Sequence, residues 1–284
     1  MFLSEKTVWP YRYTRGTSPL IVSFPHVGTF IPHSVGRALS DCAAQRPDTD
    51  WHLPLLYNFV HEMGATTITA NYSRYYVDLN RPPDGANLYP GEDTPRLCPI
   101  DTFHSERLYR DGGEPPDDEV ALRLATVWQP YHRRLATEIA RVREELGAVL
   151  LWDAHSIVAE VPRLFKGRLP DLNLGTADGT SCDSGLGEAL LLALKRHAGY
   201  SSVLNGRFKG GFITRKYGNP VNRVHAVQLE LVEATYMDET SPYAWRPDQA
   251  ESIRPVLREA LELALAWVNR RTGRRVIGRK NASP

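Results

Sequence analysis

Short runs of branched apolar residues alternate along this chain with longer stretches of helical periodicity, and few architectures accept that alternation. Pro19 to Phe24 reads PLIVSF, a run bounded by prolines that predicts a buried strand. Ala65 to Ala70 (ATTITA), Ala148 to Trp152 (AVLLW), Ser201 to Leu204 and Ala226 to Val232 (AVQLELV) predict further strands. Helical spacing fills the intervals. Trp51 to Met63 places Leu55, Leu56, Phe59 and Val60 on one face before Gly64. From Asp117 acids open a stripe running from Val120 through Leu124, Val127, Tyr131, Leu135 and Val142 to Leu146, with Pro130 expected to kink or divide it and Gly147 to end it. Ser184 to His197 and Gln249 to Arg270 predict two more helices. Between Arg81 and Pro116, and again between Pro162 and Gly179, prolines and glycines break the periodicity and predict long ordered loops. The pattern predicts an α/β fold with a largely parallel sheet covered on both sides. With no repeat and no linker, residues 1–284 read as a single domain, with a basic tail from about 271.

A chain of 284 residues with 42% hydrophobic content is long enough for a sizeable core. Its net charge of +1 argues for neither a nucleic-acid nor a membrane partner, and a small molecule is the expected one. No apolar run nears the roughly 20 residues that span a bilayer, and no secretory leader is recognisable, so cytoplasmic residence is the expectation. Cys42, Cys98 and Cys182 are too scattered to suggest a disulfide framework or a thiolate metal site.

In open α/β sheets ligands bind beyond the carboxyl ends of the strands, and His26 and His155 are each expected just past such an end. Catalytic zinc takes three nitrogen or carboxylate ligands and keeps one position open. His26, Asp50 and His155 suit that chemistry, and Asp153 stands two residues before His155, where a carboxylate orients an imidazole. Structural roles also stay open: a turn cap for His26, a helix cap for Asp50, a polar strand end for His155. His52 is a rival ligand, while His33, His61, His104, His132, His197 and His225 have weaker contexts. Glu230 sits in an apolar strand, where an unpaired carboxylate is costly. It is either a satisfied or outward-facing structural residue or a general base with a raised pKa, and Glu233 competes for that role. Asn80-Arg81 and Arg215, the latter beside Gly210-Gly211, offer donors suited to gripping carboxylates, against the alternative of solvated surface charge. The glycine pair lacks the spacing of a phosphate loop, and no Gly-x-Ser-x-Gly elbow supports serine catalysis.

Several blocks in one order resemble the N-formylglutamate amidohydrolase (N-formylglutamate deformylase) family of histidine catabolism. They are Pro25-His26-Val27-Gly28-Thr29, Asp48-Thr49-Asp50-Trp51-His52, Ser73-Arg74-Tyr75, Val77-Asp78-Leu79-Asn80-Arg81-Pro82 and Leu88-Tyr89-Pro90-Gly91. Trp128 to His132, Leu151 to Ile157, Asn205 to Arg215 and His225 to Glu230 continue the likeness. The resemblance implies a three-layer α/β/α sandwich with a mixed, largely parallel central sheet, similar to zinc exopeptidases. It implies that His26, Asp50 and His155 bind Zn2+ or another divalent transition metal, that Glu230 is the general base, and that Asn80-Arg81 clamps a substrate carboxylate. Two departures stand out. Thr29 occupies the position where zinc exopeptidases often carry a glutamate ligand, and Val27 replaces an expected serine.

The expected activity is metal-dependent hydrolysis of N-formyl-L-glutamate to formate and L-glutamate, with Arg81 and Arg215 holding the two carboxylates. Its rivals are a related zinc deacylase for another N-acyl acidic amino acid and a non-catalytic sensor of an acidic metabolite.

Overall fold

The computed structural model describes residues 8–88, 91 and 94–271. The expected basic tail lies almost wholly outside these residues.

Among the described residues seven strands form one mixed sheet: β1 (Tyr11–Thr14), β2 (Leu20–Phe24), β3 (Thr66–Ala70), β4 (Val149–Ile157), β5 (Leu172–Gly175), β6 (Ser202–Leu204) and β7 (Val224–Val232). They run in the order β1-β3-β2-β4-β7-β5-β6. The central pairs β3 with β2, β2 with β4 and β4 with β7 are parallel, as is β5 with β6. The pairs β1 with β3 and β5 with β7 are antiparallel. The carboxyl ends of β3, β2, β4 and β7 therefore open toward the same side.

Helices α1 (His33–Gly36), α2 (Asp41–Ala44), α3 (Leu53–Leu56), α4 (Asp117–Arg123), α5 (Gln129–Leu146), α6 (Ser184–Lys195), α7 (Phe212–Tyr217) and α8 (Pro247–Arg271) complete the fold. Strand alternation divides the buried side chains between two faces. Leu20, Val22, Trp152, Leu229 and Leu231 pack with Leu186 of α6 and with Ile253, Leu257 and Leu261 of α8. Ile21, Ile68, Leu151 and Ala226 face the other way, onto Tyr131, Leu135 and Val142 of α5. Helix, sheet and helix make the three layers anticipated above.

Several boundaries differ from the sequence expectation. Trp51 to Met63 is not one helix: His52 adopts a left-handed backbone (φ 61°), Pro54 follows inside the first turn, and α3 gives way to a 3-10 turn at Asn58–His61. The long helix is interrupted just before Pro130, which stands in the first turn of α5. A π-helical turn at Leu124–Trp128 precedes it, widening the helix where the proline ring would press on the carbonyl of Thr126. β5 lies within the segment expected to be loop, and its antiparallel pairing with β7 supplies the order that its four residues could not. β4 runs on to Ile157, so His155 lies inside the strand and not beyond its end; parallel pairing with β7 continues through Ile157 opposite Val232.

Candidate metal and active site

β2 ends at Phe24, and His26 follows as the chain turns away. Its carbonyl accepts the Asp50 N–H at 3.1 Å, drawing the Asp48-Thr49-Asp50 corner onto the strand end. That corner is pinned again where the Asp48 carboxylate accepts the Phe103 N–H at 2.9 Å. One strand over, β4 carries Asp153 and His155 on a single face.

A carboxylate flanks the outer nitrogen of each imidazole. His26 Nε2 lies 2.7 Å from Asp78 Oδ1 and donates its proton to that carboxylate, while His155 Nε2 lies 3.0 Å from both Asp153 Oδ2 and Asn80 Nδ2. Both Nδ1 atoms then face inward. They stand 3.1 Å apart, with Asp50 Oδ2 at 3.2 Å from His155 Nδ1 and 3.8 Å from His26 Nδ1. His26, Asp50 and His155 are all buried. Two imidazole nitrogens and a carboxylate oxygen converging in a low-dielectric pocket are stabilised by positive charge among them, a proton or a metal cation. Bonds of about 2.0–2.1 Å to a tetrahedral metal place ligand atoms roughly 3.3 Å apart, a spacing these three atoms bracket. The donor set fits zinc or another divalent transition metal.

Fixed partners hold this group in place. Asp78 Oδ2 accepts Arg74 Nη2 at 2.9 Å, and Asp153 Oδ1 accepts the Ser23 hydroxyl at 3.0 Å. Burial would raise the Asp78 pKa, but His26 and Arg74 hold it well below the usual carboxylate range. His26 is pulled down by burial and by the Arg74 charge. His155 is buried as deeply, yet Asp153 and Asp50 push it well above the ordinary imidazole value. The pocket favours positive charge at its centre.

Glu230 on β7 is the register partner of His155 on β4. Its carboxyl is pushed up to about 7 by burial, with the nearby Asp50 charge adding to the effect and His155 opposing it. Glu233 is also buried and raised well above the carboxylate range, but it lies past the end of β7 and is not among the pocket-lining residues. His26, Arg74, Asn80, Arg81, Arg207 and Glu230 line one pocket, with Phe103 and Phe208 among its apolar walls.

The rival ligand His52 points elsewhere, its Nε2 donating to the Tyr243 carbonyl at 2.8 Å. Asn80 packs beside the imidazole pair: its Nδ2 lies 3.4 Å from Asp153 Oδ2, and its Oδ1 accepts the Ile213 N–H at 2.8 Å. Arg81 lines the pocket, with its Nε donating to the Pro95 carbonyl at 3.1 Å. Arg215 does not line it; its Nε donates to the Gly210 carbonyl at 2.9 Å. Arg207, eight residues earlier, reaches the pocket instead. The roles of Asp78, Arg74, Gln228 and Arg207 escaped the sequence reading. Gln228 was signalled by strand periodicity, because it stands two residues before Glu230 on the same face. Arg74 and Asp78 were signalled by their spacing of four, but only folding places them under His26.

A three-layer α/β fold in which strand β4 and the turns beside it gather a buried histidine, aspartate and histidine group near a buried carboxylate has the make-up of a hydrolytic enzyme. The N-formylglutamate amidohydrolase family model matches residues 18–237. N-formylglutamate deformylase of Pseudomonas aeruginosa is 53% identical over 255 residues, which cover 90% of this chain and 96% of that one. The enzyme of the same name from Pseudomonas putida is 48% identical over 255 residues, 90% of this chain and 95% of that one. The crystal structure of N-formylglutamate amidohydrolase from Ralstonia eutropha JMP134 superposes with a TM-score of 0.76 at 25% identity, covering 93% of this chain and 98% of that one. The chain belongs to the N-formylglutamate amidohydrolase family and is a hydrolase of amide bonds.

Proposed function

We propose that the pocket hydrolyses N-formyl-L-glutamate to formate and L-glutamate, with His26, Asp50 and His155 as metal ligands and Glu230 as general base. The observation that carries this reading is the placement of Glu230, poised near neutrality, beside a converging His/Asp/His group. A divalent cation at that group, Zn2+ or another transition metal, supplies a Lewis acid for the formyl oxygen and acidifies water beside it. Glu230 takes the proton of the attacking water at a carboxylate oxygen while the water oxygen bonds to the formyl carbon. As the C–N bond breaks, Glu230 returns that proton to the departing amine nitrogen, and formate and glutamate leave.

A doubly negative substrate calls for two positive partners. Arg81 and Arg207 both line the pocket and suit the two carboxylates, while Arg215 braces the Gly210 turn. Asp78 and Asp153 orient the ligand imidazoles, and Asn80 supports Asp153. One domain carries the whole reaction, which belongs to histidine degradation in the cytoplasm. Among the described residues no helix is long and apolar enough to cross a membrane.

The test is formate release from N-formyl-, N-acetyl- and N-succinylglutamate by protein stripped with a chelator and restored with defined metals. Restored turnover of the formyl compound above the larger acyl groups supports the reading. Full turnover by the stripped protein refutes the metal role, and preference for a larger acyl group refutes the substrate.

A further inference from the structure

Gln228 is buried, lines the pocket and shares a strand face with Glu230, yet it has no part in the chemistry above. Its amide sits between two groups of opposite character. The Gly211 N–H donates to Gln228 Oε1 at 2.7 Å, and Gln228 Nε2 donates to Glu230 Oε2 at 3.1 Å. A backbone N–H can only donate, so the amide oxygen must face Gly211 and the NH2 must face the carboxylate. The orientation is therefore determined by the fold, without reference to any ligand.

The far end of this bridge is equally fixed. Gly211 caps α7, and a Cβ at this position would lie 2.3 Å from Asn80 Nδ2, so only glycine allows the close approach. Asn80 in turn accepts the Ile213 N–H at 2.8 Å and reaches Asp153, which holds His155. A continuous path thus runs from the base through Gln228 and the start of α7 to the imidazole side of the pocket.

We propose that Gln228 is a positioning residue that holds Glu230 Oε2, so that the other carboxylate oxygen is presented to the attacking water. This rests on Glu230 being the general base. A carboxylate held at one oxygen has a single orientation, whereas one released from its amide partner rotates about its terminal torsion and loses alignment with the water. The loss falls on turnover, because the groups that bind substrate and metal remain in place.

The decisive measurement is a mutant cycle on the full-length, Zn2+-loaded enzyme, with kcat, KM, metal content and thermal midpoint recorded for Gln228→Met, Glu230→Gln and the double variant. Methionine keeps the length and removes both hydrogen bonds. The expected result for Gln228→Met is a fall in kcat of about 10- to 100-fold, with KM within about threefold and one metal retained per chain. In the Glu230→Gln background the same change should cost nothing further, since its object is gone. Should Gln228→Met fail to fold, the shorter Gln228→Leu likewise removes both hydrogen bonds without adding charge, and the same loss of kcat at constant KM is expected.

Turnover within twofold of the parent in the folded variant overturns the proposal, as does a full multiplicative loss in the double variant. Undiminished activity of Glu230→Gln alone would instead remove the base assignment beneath it.

Discussion

His155 and Glu230 stand directly opposite each other on the parallel strands β4 and β7, so the nearer imidazole and the carboxylate are set by one backbone register. Sliding either strand by one residue would turn one of the two side chains to the opposite face of the sheet. The pairing therefore locates Glu230 relative to His155 without any loop being involved, whereas His26 and Asp50 come from the turns beside the sheet.

Activity should depend on Glu230 being ionised. Burial raises its pKa to about 7, against the pull of His155. A base works only when deprotonated, so kcat/KM should rise with pH through an acid limb at or below about 7, because a cation beside the carboxylate moves the limb only downward. Glu230→Gln should reduce kcat by about 10²- to 10⁴-fold and remove the limb, with metal content unchanged. A parental pH profile in that variant would refute the assignment.

Asp78→Asn should weaken metal binding by about 10- to 100-fold, since Asp78 orients His26 through a 2.7 Å contact and anchors Arg74 beneath it. Competition with a chromogenic chelator measures this directly. Affinity equal to the parent's would show that His26 needs no such partner.

His132 should make the protein acid-sensitive at a distance from the chemistry. It is buried between Trp128 and Tyr217, its Nε2 donates to the Leu79 carbonyl at 2.9 Å, and burial lowers its pKa from 6.5 to about 4. The unfolded chain therefore binds a proton through a pH range in which the folded one does not. This contribution is fully present above about pH 6.5, is lost as pH falls, and levels off below about 4, a change of about 3 kcal/mol. Urea titrations across that window should show a shallower pH slope for His132→Gln, and identical slopes would sink the argument.

Gly211→Ala should be disruptive although alanine is small. The new methyl group would meet Asn80 Nδ2 at 2.3 Å, and Asn80 is itself held by Ile213. A loss of about 1–3 kcal/mol in denaturant unfolding is expected, together with reduced turnover as Asn80 is displaced. Parental stability and activity would mean that Asn80 yields without cost.

The strand cores were legible because branched apolar runs such as Leu20 to Phe24 have no other use than burial. Helices with a long stripe, α5 and α8, were legible for the same reason. β1 and β5, four residues each, were not, because their stability comes from neighbours distant in the chain. The carboxyl-terminal half of β4 was hidden too: Asp153 and His155 look like a strand end until β7 is seen to pair beside them.

What the residues determined alone was an alternation of burial patterns, and with it an α/β sheet, together with a short set of groups able to bind metal or move a proton. Only the tertiary structure chose among them. It turned His52 toward Tyr243, brought Asp50 to His155, put Arg207 rather than Arg215 at the pocket, and joined Gln228 to the Gly211 N–H. The physical reason is range: periodicity is written in neighbours a few residues apart, whereas a site joins side chains distant in sequence, 105 residues for Asp50 and His155, whose separation is fixed by strand register and by hydrogen bonds that form only in the folded chain.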